Sequence, residues 1–232
     1  MRKLFYVPVI HEESDLGSAA SSVKEKSREA CGRALWERHH EIVALFWENI
    51  RKFFNEIDPK GLLIYQDGLM TEGKLGHKII REGAKRGSSN YQIVLDLINR
   101  GGTIKKTENI ELLKMELQRI LQLVQADSAL EKDTSAIEFD GDRLMEERDR
   151  FVAKSINETL KNKGVLFMGA YHHVRPYLEY DIEIIEIKNI KGVRAYFKTL
   201  NARGPMEKFD KLAAYLVSPV RSTPSEPRHR QA

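Results

Sequence analysis

The run GVLFMGA at 164–170, closed by Tyr171-His172-His173, is apolar at nearly every position and shows no polar alternation. That pattern suits a strand buried on both faces, as in a parallel sheet, better than a strand with one wet face. A strand of this kind needs a helical layer on each side, so the fold class it implies is α/β. KLFYVPVI at 3–10 has the same character and ends at His11, and GLLIYQ at 61–66 repeats it and ends at Asp67-Gly68. Between these two, Ala30, Ala34, Leu35, Ile42, Leu45, Phe46, Ile50, Phe53 and Phe54 recur near helical spacing from about Ser27 to Ile57, where Asp58-Pro59-Lys60-Gly61 stops them. Strand, helix, strand makes a βαβ unit, with the helix either single or kinked.

Outward from this unit, the middle of the chain is more polar. It predicts a short helix over 74–85 and a second from a Ser88 or Ser89 cap through Ile98, ended by Gly101-Gly102. A short third strand follows at 103–106. After Thr107-Glu108-Asn109, an amphipathic helix uses Ile110, Leu113, Leu117, Ile120, Leu121 and Val124; another runs from about Gly141 to Asn162, and a last one from Pro205 to Leu216. DIEIIEIK at 181–188 alternates with period two and reads as a strand near a sheet edge, with GVRAYFKTL at 192–200 expected to pair beside it as an antiparallel edge. The expected architecture is one α/β domain over 1–217: a central, mostly parallel sheet flanked by helices, with a helical segment at about 70–135. Residues 218–232 are expected to be a disordered basic tail, having nothing apolar to bury against the entropy of ordering.

Of 232 residues, 41% are hydrophobic and 31% charged, the range of an ordinary globular α/β protein. The net charge is +4, and the tail's three arginines against one glutamate account for +2 of it. The body is therefore too nearly neutral for the basic face that nucleic-acid binding uses. No apolar stretch reaches the roughly 18 residues of a membrane span, and His11, Glu12 and Glu13 interrupt the N-terminal run, so neither a span nor a secretory leader is expected. The single cysteine, Cys31, makes no internal disulfide and there is no Cys/His zinc pattern. These features read as a cytoplasmic protein. Neither GxGxxG nor GxxxxGK[ST] occurs, which removes the common nucleotide-binding loops.

Ligands of open parallel sheets collect at the carboxyl ends of strands, where loops vary while the sheet fixes their roots. His11 and His172-His173 both fall there. Imidazole serves as metal ligand or as acid and base near neutral pH, while the alternative is a structural histidine in each loop. On the helix spanning 144–160, Leu144, Met145, Phe151, Val152 and Ile156 define an apolar arc with Arg148 near its middle. A guanidinium turned inward keeps its charge and needs a carboxylate or an anionic ligand. Glu147 and Asp149 flank the arc, and Glu146 with Arg150 forms a solvated pair. Trp36, Trp47, Phe46, Phe53 and Phe54 are read as core or as a homodimer face. His39-His40 and His77 are read as packing or surface residues, the Asp15-Leu16-Gly17-Ser18 segment as a turn, and Tyr171 and Tyr65 as pocket-lining candidates.

The segment Glu147-Arg148-Asp149-Arg150-Phe151-Val152-Ala153-Lys154, the GxxH of Gly169-Ala170-Tyr171-His172 and an N-terminal strand ending in His11 resemble the TraB/GumN group, which belongs with Tiki-type metalloproteases, ChaN-like and erythromycin-esterase-like proteins. Glu147-Arg148-Asp149 stands where the family has ERN, with Asp for Asn. Pro8-Val9-Ile10-His11 has proline at the glycine of the other GxxH, and Asp67 is the nearest candidate for the acidic residue after the second strand. The resemblance implies a hydrolase pocket on a small-molecule or peptide substrate, with His11, Glu147, Arg148 and His172 catalytic and Asp67, Asp149, Tyr171 and His173 binding. In some members hydrolysis depends on a divalent metal, Mn, Co or Zn. Here such an ion would take His11, His172 or His173, and Glu12, Glu13 or Asp67 as ligands; without it, His11 would be the general base. Arg148 would meet the charge that develops on a carbonyl or phosphoryl oxygen. A non-catalytic binder of an anionic small molecule or peptide is the other reading of the same residues.

Overall fold

A computed structural model describes residues 1–12, 32–127, 135–202 and 205–220. The expectations placed on Glu13, the Asp15–Ser18 turn, Cys31 and the tail from 221 onward fall outside the described residues. The chain runs β1 (Arg2–Val9), α1 (Arg33–Asn55), β2 (Leu63–Gln66), α2 (Gly73–Lys85), α3 (Ser89–Asn99), β3 (Thr103–Lys105), α4 (Ile110–Asp127), α5 (Ser135–Thr159), β4 (Lys163–Gly169), a 3-10 turn (Arg175–Tyr177), β5 (Ile182–Glu186), α6 (Ile190–Asn201) and α7 (Met206–Leu216).

The five strands form one sheet in the order β3-β2-β4-β1-β5, and every pairing is parallel. β4 lies at the centre, as its unbroken apolar run requires, with Gly169 opposite Val9 on β1 and Phe167 opposite Gln66 on β2. Because side chains alternate along a strand, β1 and β4 each feed both faces. Phe5, Val7, Val9, Val165 and Phe167 enter the larger apolar layer, with Phe46, Trp47, Phe53 and Phe54 of α1 and residues of α2, α3, α6 and α7. Leu4, Tyr6, Leu166 and Met168 enter the smaller one, against Val152, Ala153 and Ile156 of α5. Each fully buried aliphatic or aromatic side chain contributes about 1.5–3 kcal/mol, so the two layers hold the sheet from both sides. Of the α1 aromatics, Phe46, Trp47, Phe53 and Phe54 are core residues of their own chain, and Trp36 is half-buried.

Two expectations at the C-terminal edge are corrected. DIEIIEIK does supply the edge strand β5, but it pairs parallel to β1, Phe5 opposite Ile185, rather than building an antiparallel edge. Residues 192–200 are helix, not strand. The Asn189 side chain caps α6 by accepting the Gly192 N–H at 3.0 Å. Val193, Tyr196 and Leu200 are then spaced as one helical face, and all three are buried. The alternation in GVRAYFKTL is incidental to this spacing, and the cap decides between them. Elsewhere, β3 of the polar middle joins the sheet beside β2, and Ser88 caps α3 by accepting the Tyr91 N–H at 3.3 Å. Among the described residues no helix is long and apolar enough to cross a membrane.

Candidate active site at the strand ends

With all strands parallel, their C-terminal ends share one edge of the sheet. β2 delivers Asp67 there, β3 delivers Glu108, β4 delivers His172, and α5 lays Arg148 and Asp149 across them. Arg148 sits on the buried stripe that continues through Leu144, Val152 and Ile156. Its guanidinium reaches inward and meets carboxylates: Nε donates to Glu108 Oε2 at 3.2 Å, and Nη2 donates to Glu108 Oε1 at 2.7 Å and to Asp67 Oδ1 at 3.4 Å. Glu108 has no solvent exposure. Burial pushes its carboxyl up, and the Arg148 guanidinium opposes that push. The fork-to-fork pair meets the need of a buried charge for a partner. Arg148 is thus engaged with two carboxylates, which answers its inward placement without any anionic ligand.

Asp149, one residue on, points to the other side of the stripe. Its Oδ1 lies 2.6 Å from His172 Nδ1, and its Oδ2 accepts the backbone N–H of His173 at 2.6 Å. A carboxylate only accepts, so the ring carries its proton on Nδ1 and a neutral His172 keeps its lone pair on Nε2. The loop itself is clamped from α6, where Arg194 Nε donates to Ala170 O at 2.5 Å and Nη2 to His172 O at 3.1 Å. His172 is buried and His173 exposed, which assigns the inward histidine.

Gly169 shapes the space between these groups. Its N–H donates to Asp67 Oδ2 at 3.2 Å. A Cβ at Gly169 would stand 3.5 Å from that same oxygen, 3.3 Å from His172 Cδ2 and 4.0 Å from His172 Nε2. The missing side chain therefore leaves a cradle walled by a carboxylate oxygen and by the imidazole edge that carries the free nitrogen.

The remaining expected residues lie around this centre or outside it. His11 is exposed at the end of β1, on the same edge of the sheet. Trp47 Nε1 donates to Ile10 O at 3.1 Å and fixes the chain just before it. Glu12 is drawn to the start of α3, where it accepts the Ser89 N–H at 2.7 Å and the Ser89 hydroxyl at 3.1 Å, an acid at a helix N-terminus. Glu147 faces solvent and pairs with Arg143 at 3.8 Å, since it stands about 100° round α5 from Arg148. Tyr171 is 56% exposed. Tyr65 is buried and hydrogen-bonds Thr159 at 2.7 Å. His39 is buried against Tyr196, with Nδ1 2.8 Å from the phenol, and burial lowers its pKa to about 4.

Glu108 is the residue that sequence reasoning missed. The available signal was the inward Arg148, which demanded a carboxylate, together with Thr107-Glu108 directly after a strand. The Thr107 hydroxyl donates to Gln66 O and ties the end of β3 to β2.

Among the described residues no group of three His, Cys, Asp or Glu side chains converges to hold a metal ion. Asp67 and Glu108 instead share a fixed guanidinium, a cation that already occupies the place where their charges meet. Of the ligands that the motif resemblance implied, Asp67 accepts from Arg148 at 3.4 Å and from the Gly169 N–H at 3.2 Å, and Glu12 accepts the Ser89 N–H at 2.7 Å. Comparison of the chain with protein-family models, curated proteins and solved structures returns no match.

Proposed function

We propose that this chain is a hydrolase of the TraB/GumN-like type, acting on a neutral or cationic ester or amide with His172 as general base. The observation that carries the reading is Asp149 at 2.6 Å from His172 Nδ1, which leaves Nε2 beside the Gly169 cradle. A base held by an orienting carboxylate, at the end of a buried strand, is the arrangement acyl transfer to water requires. Nε2 takes a proton from water as the water oxygen bonds to the substrate's carbonyl carbon. When the intermediate collapses, the same proton passes to the leaving oxygen or nitrogen. Asp149 holds the ring in one tautomer and stabilises the imidazolium between these steps.

Charge at the site favours an uncharged or positive substrate over an anion. Asp67, Glu108 and Asp149 stand against Arg148, and Arg148 is bonded to two of them. For the same reason Arg148 is a positioning residue that ties α5 to β2 and β3. The reading routes no step through a metal.

The experiment is a screen of p-nitrophenyl acetate, a p-nitroanilide peptide and bis-p-nitrophenyl phosphate, with EDTA, Mn²⁺ or Co²⁺ present in parallel arms. Turnover of the ester or anilide that survives EDTA and disappears in His172→Ala is the expected result. Turnover that needs added metal, that prefers the phosphodiester or that persists in His172→Ala contradicts the reading.

A further inference from the structure

The groups that border Gly169 can be sorted by what they offer a ligand. Three backbone donors of the loop are taken up within the protein: the Gly169 N–H by Asp67 Oδ2 at 3.2 Å, the His172 N–H by Gly169 O at 3.1 Å and the His173 N–H by Asp149 Oδ2 at 2.6 Å. The side-chain atoms that face the cradle accept. His172 Nε2 keeps its lone pair, and Asp67 meets one donor on each oxygen among the described residues, although a carboxylate has about four lone-pair sites. The Asp67 oxygen 3.5 Å from the cradle therefore has room for a further donor.

Gln66 is an independent sign of the same need. It is 2% exposed at the end of β2, yet its Oε1 has no hydrogen-bond partner among the described residues. Its Nε2 donates to Asp67 O at 3.4 Å, which holds the amide beside Asp67 and turns the nitrogen, not the oxygen, to that carbonyl. Gln66 pairs with Phe167, and side chains alternate, so it stands on the face of the sheet to which Gly169, two residues beyond Phe167, is turned. Of the buried polar side chains without a partner for one atom, only Gln66 is tied by a side-chain hydrogen bond to a residue of the site. A buried carbonyl oxygen left without a donor opposes stability unless a ligand supplies one.

We infer that the acyl half of the substrate carries a primary ammonium on the carbon next to the scissile carbonyl, and that Asp67 and Gln66 recognise it. The inference rests on the hydrolase reading and narrows it to α-amino esters or amides. An ammonium brings three N–H donors and a positive charge to a carboxylate and an unpartnered carbonyl. An acylated amine brings one donor and no charge. A quaternary ammonium brings no N–H. Position follows from the cradle: Asp67 Oδ2 and His172 Nε2 lie no further apart than the sum of their distances to the Cβ position of Gly169, 3.5 and 4.0 Å. With the ammonium on Oδ2, the carbonyl carbon two bonds away comes within reach of a water held by Nε2, whereas an ammonium farther along the substrate would carry the carbonyl past it. The water oxygen bonds to that carbon, the bond to the leaving group breaks, and the proton taken by Nε2 passes to the leaving group. The ammonium keeps its protons throughout. One water is consumed, and an α-amino acid and an alcohol or amine are released.

The test compares L-alanine with N-acetyl-L-alanine, each as p-nitroanilide and as ethyl ester, using the full chain beside p-nitrophenyl acetate and His172→Ala controls. The expected result is a kcat/KM for the free amine at least about 10²-fold above that for the acetylated form, because acetylation leaves a buried acceptor unpaired and a carboxylate without its cation. Asp67→Asn should cut that ratio by about tenfold or more. Gln66→Leu, which removes the unpartnered oxygen and keeps the volume, should melt no lower than wild type and cut the ratio by about threefold to tenfold. The wild-type comparison needs no variant, so it decides even if Asp67→Asn does not fold. Equal turnover of the two forms, preference for the acetylated one, or an unchanged ratio in either folded variant overturns the inference. Hydrolysis of p-nitrophenyl acetate that depends on His172, with no turnover of either L-alanine derivative, overturns it too and leaves the hydrolase reading standing. A wild type that turns over no substrate at all, or a His172→Ala that matches it, removes both.

Discussion

Asp149 meets His172 at 2.6 Å between Oδ1 and Nδ1, joining a helix of one apolar layer to the loop that closes the central strand. The second oxygen of the same carboxylate takes the N–H of His173 at 2.6 Å, so the loop and the ring are oriented by one side chain. Replacing Asp149 with Asn offers N–H where the ring offers N–H, and the ring must turn its tautomer over or rotate away. Turnover of p-nitrophenyl acetate is expected to fall by about 10³-fold or more. Measurement of kcat together with near-UV circular dichroism checks it: an intact fold with wild-type kcat would remove the orienting role.

Arg148 and Glu108 form a buried pair whose members depend on each other. Arg148→Ala alone is expected to lower stability by about 3–5 kcal/mol, since it strands the carboxylate of a fully buried Glu108. The double variant Arg148→Met with Glu108→Leu should recover most of that loss, because two apolar side chains leave no charge to solvate. Urea denaturation of Arg148→Met, Glu108→Leu and the double variant measures the coupling. Additive losses would show that the pair is not a unit.

Gly169 has ordinary extended backbone, and the cost of a side chain there is one of space. In Gly169→Ala the new Cβ would press on His172 Cδ2 at 3.3 Å and stand 3.5 Å from Asp67 Oδ2. Stability should change by less than about 1 kcal/mol, while activity falls at least tenfold as the cradle fills. A melting curve paired with a rate measurement separates the two. A fully active alanine variant would mean that substrate sits elsewhere.

His39 supplies a pH dependence. Burial holds its pKa at about 4, against an ordinary 6.5, so the unfolded chain binds a proton that the folded chain refuses between those values. Stability from this group is complete above pH 6.5, declines as pH falls and reaches its full loss, about 3 kcal/mol, below pH 4. Denaturant midpoints measured from pH 7.5 to 4 should show this slope in wild type and lack it in His39→Leu. Equal slopes in the two proteins would exclude His39 as the cause.

The amino-acid sequence alone determined the layered α/β class. Long uninterrupted apolar runs at β1, β2 and β4 have only one economical burial, between helices on both faces. Arg148 was legible as an inward charge from helical periodicity, and His172 from its place at the end of the strongest strand. Three things waited for tertiary structure. Whether 192–200 became a strand or a helix turned on the Asn189 cap and on the face that Tyr196 and Leu200 share with the core. Glu147, adjacent to Arg148 in the chain, went to solvent, while Glu108, 40 residues away, became its partner, because neighbours on a helix diverge and strand ends converge. The unsatisfied hydroxyl of Tyr6 could not be read from KLFYVPVI at all. A phenol looks apolar in a run of apolar residues, and only packing the layer against α5 reveals that its oxygen is buried without a hydrogen-bond partner.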